Sequence, residues 1–317
     1  MKLTTIVCIL FLFTAAGITA EGAETHKLIP DSCITVVTVS NVQSDPGVSW
    51  LLDAWISSPR QSPLRELLKS TSSQEISIAV FPPKKDYPLY LLVVIKMSSG
   101  TGIDKEKLNA IITLEDDRAV KNISHEGIEI IAASGENIPK DFSAYAVIRD
   151  KALIGTDADI LKTAITGPSI EGSPGYRKAK DWFSRADDGL LFADNSNSKF
   201  VNFLKPLEKK WKMTLLLSAE YLEWMGFSFD IVDSNRVAGE ITFQGSPDAD
   251  IEEIQDDAEF LGEAFKRKFM AEKIEYSSGV EVMDRTVRLK FLIEGIEPLW
   301  IGLFEKGALS IITPGEE

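Results

Sequence analysis

Between residues 226 and 245 the chain alternates with a period of two. Phe227, Phe229 and Ile231 stand between polar residues, Asp233-Ser234-Asn235 interrupts, and Val237, Ile241 and Phe243 resume the pattern. Successive side chains of a strand point to opposite faces, so this run predicts an antiparallel hairpin with one apolar face and one wet face. The pattern returns around Asp284-Arg285, with Val280 and Val282 before the turn and Val287, Leu289, Phe291 and Ile293 after it. Two more hairpins are expected upstream. One joins runs 76–81 and 89–95 through the proline-bearing loop 82–88; the other spans 144–155 and turns at Arg149-Asp150-Lys151. Run 89–95 is so continuously apolar that it reads as a central strand, and 33–40 and 128–131 read as strands too.

Helices are expected at 48–56, 63–69, 104–112 and 157–165. The last has Thr156 as cap, Asp157 and Asp159 at its positive end and Gly167-Pro168 as its stop. A longer helix follows the 226–245 hairpin, opened by Ser246 and Pro247, with Ile251, Ile254, Ala258, Leu261 and Phe265 on one stripe. Tyr221, Trp224 and Met225 are placed in a further helix, and Trp50 and Trp55 in the helix 48–56; aromatics so spaced belong to a core before a ligand site. Together these elements predict the α+β class: antiparallel hairpin-rich sheets with helices packed on one face. The glycine- and proline-bearing stretch 167–175 suggests a boundary, giving a first α+β domain at 21–168, a linker at 169–175 and a second α+β domain at 176–317. Two similar halves are suspected, because Ile29-Pro30-Asp31 and Ala186-Asp187-Asp188 each open a strand, a helix and then hairpins.

The first twenty residues read as a secretory signal peptide. Lys2 supplies one positive charge, residues 3–18 carry none, and the small-residue zone around Ala15-Ala16-Gly17 leads to Ala20, with Ile18 two positions earlier. Cleavage is expected between Ala20 and Glu21, placing the protein in the periplasm or outside the cell with no stable membrane span after cleavage. The competing reading is an uncleaved anchor, since the leader approaches the length of a span. Cleavage removes Cys8 and leaves Cys33 alone, so no intramolecular disulfide can form, and a chain of roughly 300 residues buries enough surface to need none. Cys33 heads the apolar run 33–39 and reads as a core residue. Losing Lys2 also takes the net charge from −14 to about −15, which makes nucleic acid and anionic lipid poor partners. The most basic stretch, 205–212 around Trp211, reads as a solvated helix face.

A start at Leu28-Ile29-Pro30-Asp31 just after the leader, an early strand, and Val147-Ile148-Arg149-Asp150-Lys151-Ala152-Leu153-Ile154-Gly155-Thr156 running into a helix resemble a family of bacterial exported proteins of unknown function. Members share a strand, a turn of a small residue and glycine, a second strand and a helix; here Asp150-Lys151 stands at the turn. The resemblance covers about a fifth of the chain and carries no catalytic residues with it.

The search for chemistry yields no catalytic residue, cofactor or metal. His26 and His125 are far apart in sequence and cannot supply a multi-histidine site. His125-Glu126 opens like a zinc-protease helix, but Glu129 stands where the second histidine belongs, and the pair reads as a loop before strand 128–131. Ser196-Asn197-Ser198-Lys199 satisfies Ser-x-x-Lys without its companion motifs. Asp248, Asp250, Glu252, Asp256 and Glu259 fall at calcium-loop offsets, but Glu253 occupies the glycine position and the apolar stripe favours a helix. The reading that remains is an exported envelope protein that binds a partner protein or a small ligand without catalysis. Its alternative is a metal-independent extracytoplasmic hydrolase using paired carboxylates. Two close buried carboxylates in a cleft would favour the hydrolase, and an exposed apolar patch the binder. N-terminal sequencing of the protein recovered from its host is expected to read Glu21-Gly22-Ala23; a cytosolic chain that still begins at Met1 overturns the export reading.

Overall fold

The computed structural model describes residues 24–40, 67, 73–84, 90–98, 102–113, 119–134, 142–183, 189–203, 205 and 217–298. The strands are β1 (Thr35–Ser40), β2 (Ser73–Phe81), β3 (Tyr90–Met97), β4 (Val120–His125), β5 (Ile128–Ala133), β6 (Ala144–Ile148), β7 (Lys151–Gly155), β8 (Gly189–Asp194), β9 (Leu222–Asp233), β10 (Arg236–Gly245), β11 (Glu275–Met283) and β12 (Thr286–Glu294). They form one sheet in the order β11-β12-β10-β9-β8-β1-β2-β3-β7-β6-β5-β4. Every neighbouring pair is antiparallel. The main helices are α1 (Lys105–Thr113), α2 (Ala158–Thr166), α3 (Pro174–Phe183) and α4 (Ile251–Ala271). This is a mixed fold of helix and antiparallel strand, as the sequence pattern predicts.

The hairpins fall where alternation puts them. In β9 and β10, Ile231 faces Val237 and Phe227 faces Ile241, so the apolar face stays in register across the Ser234-Asn235 turn. In β3, Leu91, Val93 and Ile95 enter one core and Tyr90, Leu92 and Val94 the other, which is why that run has no polar face.

Helices cover both faces, contrary to the expectation of one. Leu108, Ile111 and Ile112 of α1 and Ile254, Ala258, Phe265 and Phe269 of α4 lie in the first core; Ile160, Leu161 and Ala164 of α2 and Tyr176, Ala179 and Trp182 of α3 lie in the second. The physical reason lies in the middle strands: β3 and β8 are apolar on both sides, so a single layer would leave half their side chains in water. The N-terminal segment completes the second cover with Ile29 and Cys33.

Stretch 167–175, which contains the linker expected at 169–175, is packed. Asp31 N–H donates to Pro168 O at 2.9 Å, Ile170 N–H to Ile29 O at 2.7 Å, and the Ile170 side chain is fully buried. The helix α3 begins inside it, at Pro174. The strand β1 pairs with β2 on one side and β8 on the other, so the two sequence regions share one sheet.

Other local expectations shift. Asp157, not Thr156, caps α2, accepting from Ile160 N–H at 2.9 Å, while Thr156 Oγ1 accepts from Leu91 N–H on β3. Asp250, not Ser246, caps α4. Trp224 and Met225 lie on β9 and point to opposite cores rather than sharing a helix, because the strand starts at Leu222. His125 closes β4 instead of lying in a loop, and the turn is Glu126-Gly127. The acids from 250 to 259 are on or capping α4, which excludes the calcium loop. The leader, the Ala20-Glu21 junction, Trp50, Trp55, the helix expected at 48–56 and residues 206–212 of the basic stretch lie outside the described residues, as does the helix expected at 63–69 apart from the buried, helical Leu67.

One close approach fixes how α3 meets the sheet. Trp182 lies flat over Gly226 of β9, where a Cβ would come 2.5 Å from its ring. Gly226→Ala is therefore expected to lower stability by about 1–3 kcal/mol through overpacking. Gly102→Ala, with nothing within 4 Å of the added carbon, should stay within about 0.5 kcal/mol. Denaturant titration of both variants checks the pair; equal losses would mean that the α3 contact is not the constraint described.

Candidate functional site

The densest arrangement of chemistry-bearing side chains lies under the N-terminal segment. A 3₁₀ turn, Glu24–Leu28, lowers Thr25 and His26 onto the second face, where Thr38 of β1 and Glu75 and Ser77 of β2 point, and α3 brings Tyr176 from the other side. Six polar side chains then run in series. Tyr176 Oη lies 2.7 Å from His26 Nδ1, His26 Nε2 lies 2.6 Å from Thr38 Oγ1, Thr38 Oγ1 lies 2.7 Å from Ser77 Oγ, and Ser77 Oγ lies 2.6 Å from Thr25 Oγ1. Thr25 donates to Glu75 Oε1 through its hydroxyl and, at 2.8 Å, through its backbone N–H. All six residues are buried; the most exposed, Glu75, is 8% accessible.

Hydrogen counting orients this chain. Each hydroxyl has one proton to give, and Thr25 spends its own on Glu75, so Thr25 must accept from Ser77. Ser77 must then accept from Thr38, and Thr38 from His26 Nε2–H. With its proton on Nε2, a neutral imidazole accepts the Tyr176 hydroxyl at Nδ1. Burial supports this state. It lowers the His26 pKa to about 3, since a charged ring there has no water. Burial likewise raises the Tyr176 phenol, helped by the negative fields of Glu171 and Glu75, and keeps it a donor.

A second knot sits where β8 ends. Asp194 is fully buried; its Oδ1 accepts from Ser196 N–H at 2.9 Å and Ser196 Oγ–H at 2.6 Å, and its Oδ2 meets Lys199 Nζ at 3.0 Å. Asn197 and Ser198 both take positive φ, 58° and 57°, which turns the chain so that Lys199 also donates to Asp31 O at 2.6 Å. The Ser-x-x-Lys match thus brings its two ends to one carboxylate. Ser196 Oγ–H donates to Asp194 and Lys199 is paired with the same carboxylate, so neither is placed to activate the other. Gly175 at the start of α3 abuts this carboxylate; a Cβ there would come 2.5 Å from Oδ1. Burial raises the Cys33 thiol pKa against the weaker opposing field of Lys199, which makes Cys33 the core residue its position suggests.

The remaining candidates are apart from these two. His125 Nε2 lies 3.3 Å from Thr166 Oγ1 of α2 at the far end of the sheet. Asp257 on α4 accepts from Ser218 N–H at 2.7 Å and Ser218 Oγ–H at 2.6 Å. Asp157 takes the Tyr90 hydroxyl at 2.7 Å and Lys84 Nζ at 3.1 Å, with Lys84 also 3.9 Å from the Tyr90 ring centroid. Among the described residues no cluster of three or more His, Cys, Asp or Glu side chains is arranged to hold a metal, and no helix is long and apolar enough to cross a membrane.

Sequence reasoning missed the series through His26, having weighed that residue as a metal ligand. The signal was present in β1 and β2: Thr38, Glu75 and Ser77 are polar positions on the face that also carries Val36, Ala79 and Phe81. Comparison of the chain with protein-family models, with curated proteins and with solved structures finds no match.

The chain of hydroxyls anchors the segment Glu24–Leu28 to β1, β2 and α3, and it sets a pH dependence. The folded pKa of His26 lies near 3 and its ordinary value near 6.5, so between these the unfolded chain binds more protons. This contribution is full above pH ~6.5 and falls by up to ~1.4 kcal/mol per unit as the pH drops toward 3. His26→Gln keeps a donor and an acceptor but cannot protonate. Its denaturation midpoint is expected to fall less steeply over that window than the parent's; parallel curves would refute the neutral-histidine assignment.

Proposed function

We propose that this is an exported, non-enzymatic binding protein of the cell envelope that holds a partner protein at the β11 edge of its sheet and the outer face of α4. The observation that carries this is where large apolar side chains meet water. Four of the seven exposed ones among the described residues lie on these two elements: Phe260 at 65% and Met270 at 64% on α4, with Val282 at 44% and Met283 at 55% on β11, Val282 on the face that α4 covers and Met283 on the other. β11 is a nine-residue strand exposed along most of its length and, among the described strands, ends the sheet. An open edge offers backbone donors and acceptors to an added strand, and adjoining apolar groups add affinity.

Export is supported by where the buried polar series lies in the chain. Thr25 and His26 are buried a few residues beyond Ala20-Glu21, so cleavage at that junction leaves every group of the buried series on the mature chain. The resemblance to bacterial exported proteins of unknown function is supported by β6, the Arg149-Asp150 turn, β7 and α2, which follow one another as the resemblance implies.

We read the body as two similar halves. Outward from the middle the strands run β1-β2-β3-β7-β6 on one side and β8-β9-β10-β12-β11 on the other, each a first strand, a hairpin, and a second hairpin entered from its later strand. In both, a helix of the first core, α1 or α4, follows the first hairpin. The hairpin β4-β5 is an addition to the first half. β1 and β8 pair about Val37 and Leu191, the position a local twofold axis between the halves would take.

The hydrolase alternative has no comparable observation behind it. The buried acids among the described residues, Glu75, Asp194 and Asp257, hold separate partners: Thr25 for the first, Ser196 and Lys199 for the second, Ser218 for the third. Affinity capture from the organism's own envelope fraction, with mass spectrometry of what is retained, tests the binding reading. The unaltered protein should retain a protein that Phe260→Asp and Met283→Asp retain about tenfold less, a change of ~1.4 kcal/mol in affinity. Equal recovery by correctly folded variants overturns it.

A further inference from the structure

We infer that the β11 edge takes the β4 edge of a second copy of this chain, so that molecules join head to tail into a continued sheet. This rests on β11 being the binding edge and names what fills it. Four features of the two edges agree.

The first is direction. Twelve strands alternate, so the two end strands run opposite ways, and a second copy moved along the sheet presents β4 antiparallel to β11 with its faces on the matching sides. The second is exposure: among the described residues nothing pairs with the outer side of either strand, and both are mostly exposed.

The third is hydrogen-bond phase. Both strands belong to hairpins with two-residue turns, closed by His125 opposite Ile128 and by Met283 opposite Thr286. The pair closing such a turn exchanges its hydrogen bonds, and the alternation then sends the backbone groups of Val120, Asn122 and Ser124 outward from β4 and those of Tyr276, Ser278, Val280 and Val282 outward from β11. Setting Val120 opposite Val282 matches these outward groups in phase and buries two exposed valines, 42% and 44% accessible, against each other.

The fourth is charge. The same register sets Lys121 opposite Glu281. Both belong to the second face, since Ile123 of β4 packs into the second core while Val280 of β11 packs into the first. Glu281 is exposed and already meets Lys290 at 2.8 Å, so Lys121 would complete a Lys-Glu-Lys row across three strands. Pairing like edges is worse. Two β11 strands bring Glu275 and Glu281 from both copies onto one ladder, and two β4 strands bring both copies of Lys121 together.

A contact between two different surfaces does not close on itself, so it produces chains whose length grows with concentration. Sedimentation velocity on the intact exported chain reads this directly. Its mean mass is expected to rise with concentration and to fall with added salt. Lys121→Glu and Glu281→Lys should each move association to at least about tenfold higher concentration, and an equimolar mixture of the two should restore it, because each variant's altered edge suits the other's. A strictly monomeric chain, or a mixture no better than its components, overturns the inference. If Glu281→Lys lowers partner capture while Lys121→Glu leaves both mass and capture unchanged, β11 remains a binding edge and only its pairing with β4 falls. If β11 substitutions alter neither mass nor capture, both readings fall.

Discussion

The pairing of β1 with two partners holds this molecule together. Thr35 to Ser40 align with residues 75 to 80 of β2, and Thr35 to Val39 with residues 189 to 193 of β8, so one short strand carries hydrogen bonds to both sequence regions. Without it the sheet would be a six-stranded and a five-stranded piece with two raw edges between them. Its side chains go both ways: Val37 into the core under α1 and α4, Val36 into the core under α2 and α3. The requirement for two covers, and the packing of the segment 167–175 onto Ile29 and Asp31, follow from a middle that is dry on both sides.

Beside this apolar middle lies an unusually long polar series. Burying a hydroxyl or an imidazole costs free energy unless its hydrogen bonds are satisfied, and here each group from Tyr176 to Glu75 has a partner at normal distance or shorter. The series is directional, because Glu75 at its end receives two protons and so decides which way every hydroxyl before it points. Such an arrangement tolerates little substitution. Removing one member strands the donor or acceptor of its neighbour, whereas a leucine removed from the adjoining core leaves only a space. Polarity here works as alignment: the 3₁₀ turn that carries Thr25 and His26 can settle in only one position against β1 and β2.

Much of the fold was legible because alternation is a local signal. The β9-β10 hairpin, the β11-β12 pair and the stripe of α4 could be drawn from residue order alone. What was not legible depends on distance or on weak patterning. Nothing near Val37 announces Leu191 as its neighbour. β4 was missed because Val-Lys-Asn-Ile-Ser-His shows little apolar periodicity, as an end strand with little to bury need not. α3 was hidden behind Gly172-Ser173-Pro174-Gly175, which looks like a linker until Tyr176, Ala179 and Trp182 are seen on one side of a helix. The caps failed for a subtler reason: Thr156 and Ser246 are good capping residues, but an aspartate one or a few positions later starts each helix instead. Of the candidate site, His26 was visible and its company was not, since four separate segments had to be folded before Thr25, Thr38, Ser77, Glu75 and Tyr176 met.

The double pairing of β1 has a temporal side. Synthesis at about 5–20 residues per second puts roughly 8–30 s between the appearance of β1 and that of β8. Through that interval the apolar Val36-Val37-Thr38-Val39 run has at most one neighbour, and contacts across such a span are slow to form even in the finished chain. A half-built sheet with an open hydrophobic flank invites exchange of strands between nascent molecules. Holding the polypeptide extended until β8 has been made would avoid that hazard, and passage through a membrane channel before folding would impose such a delay.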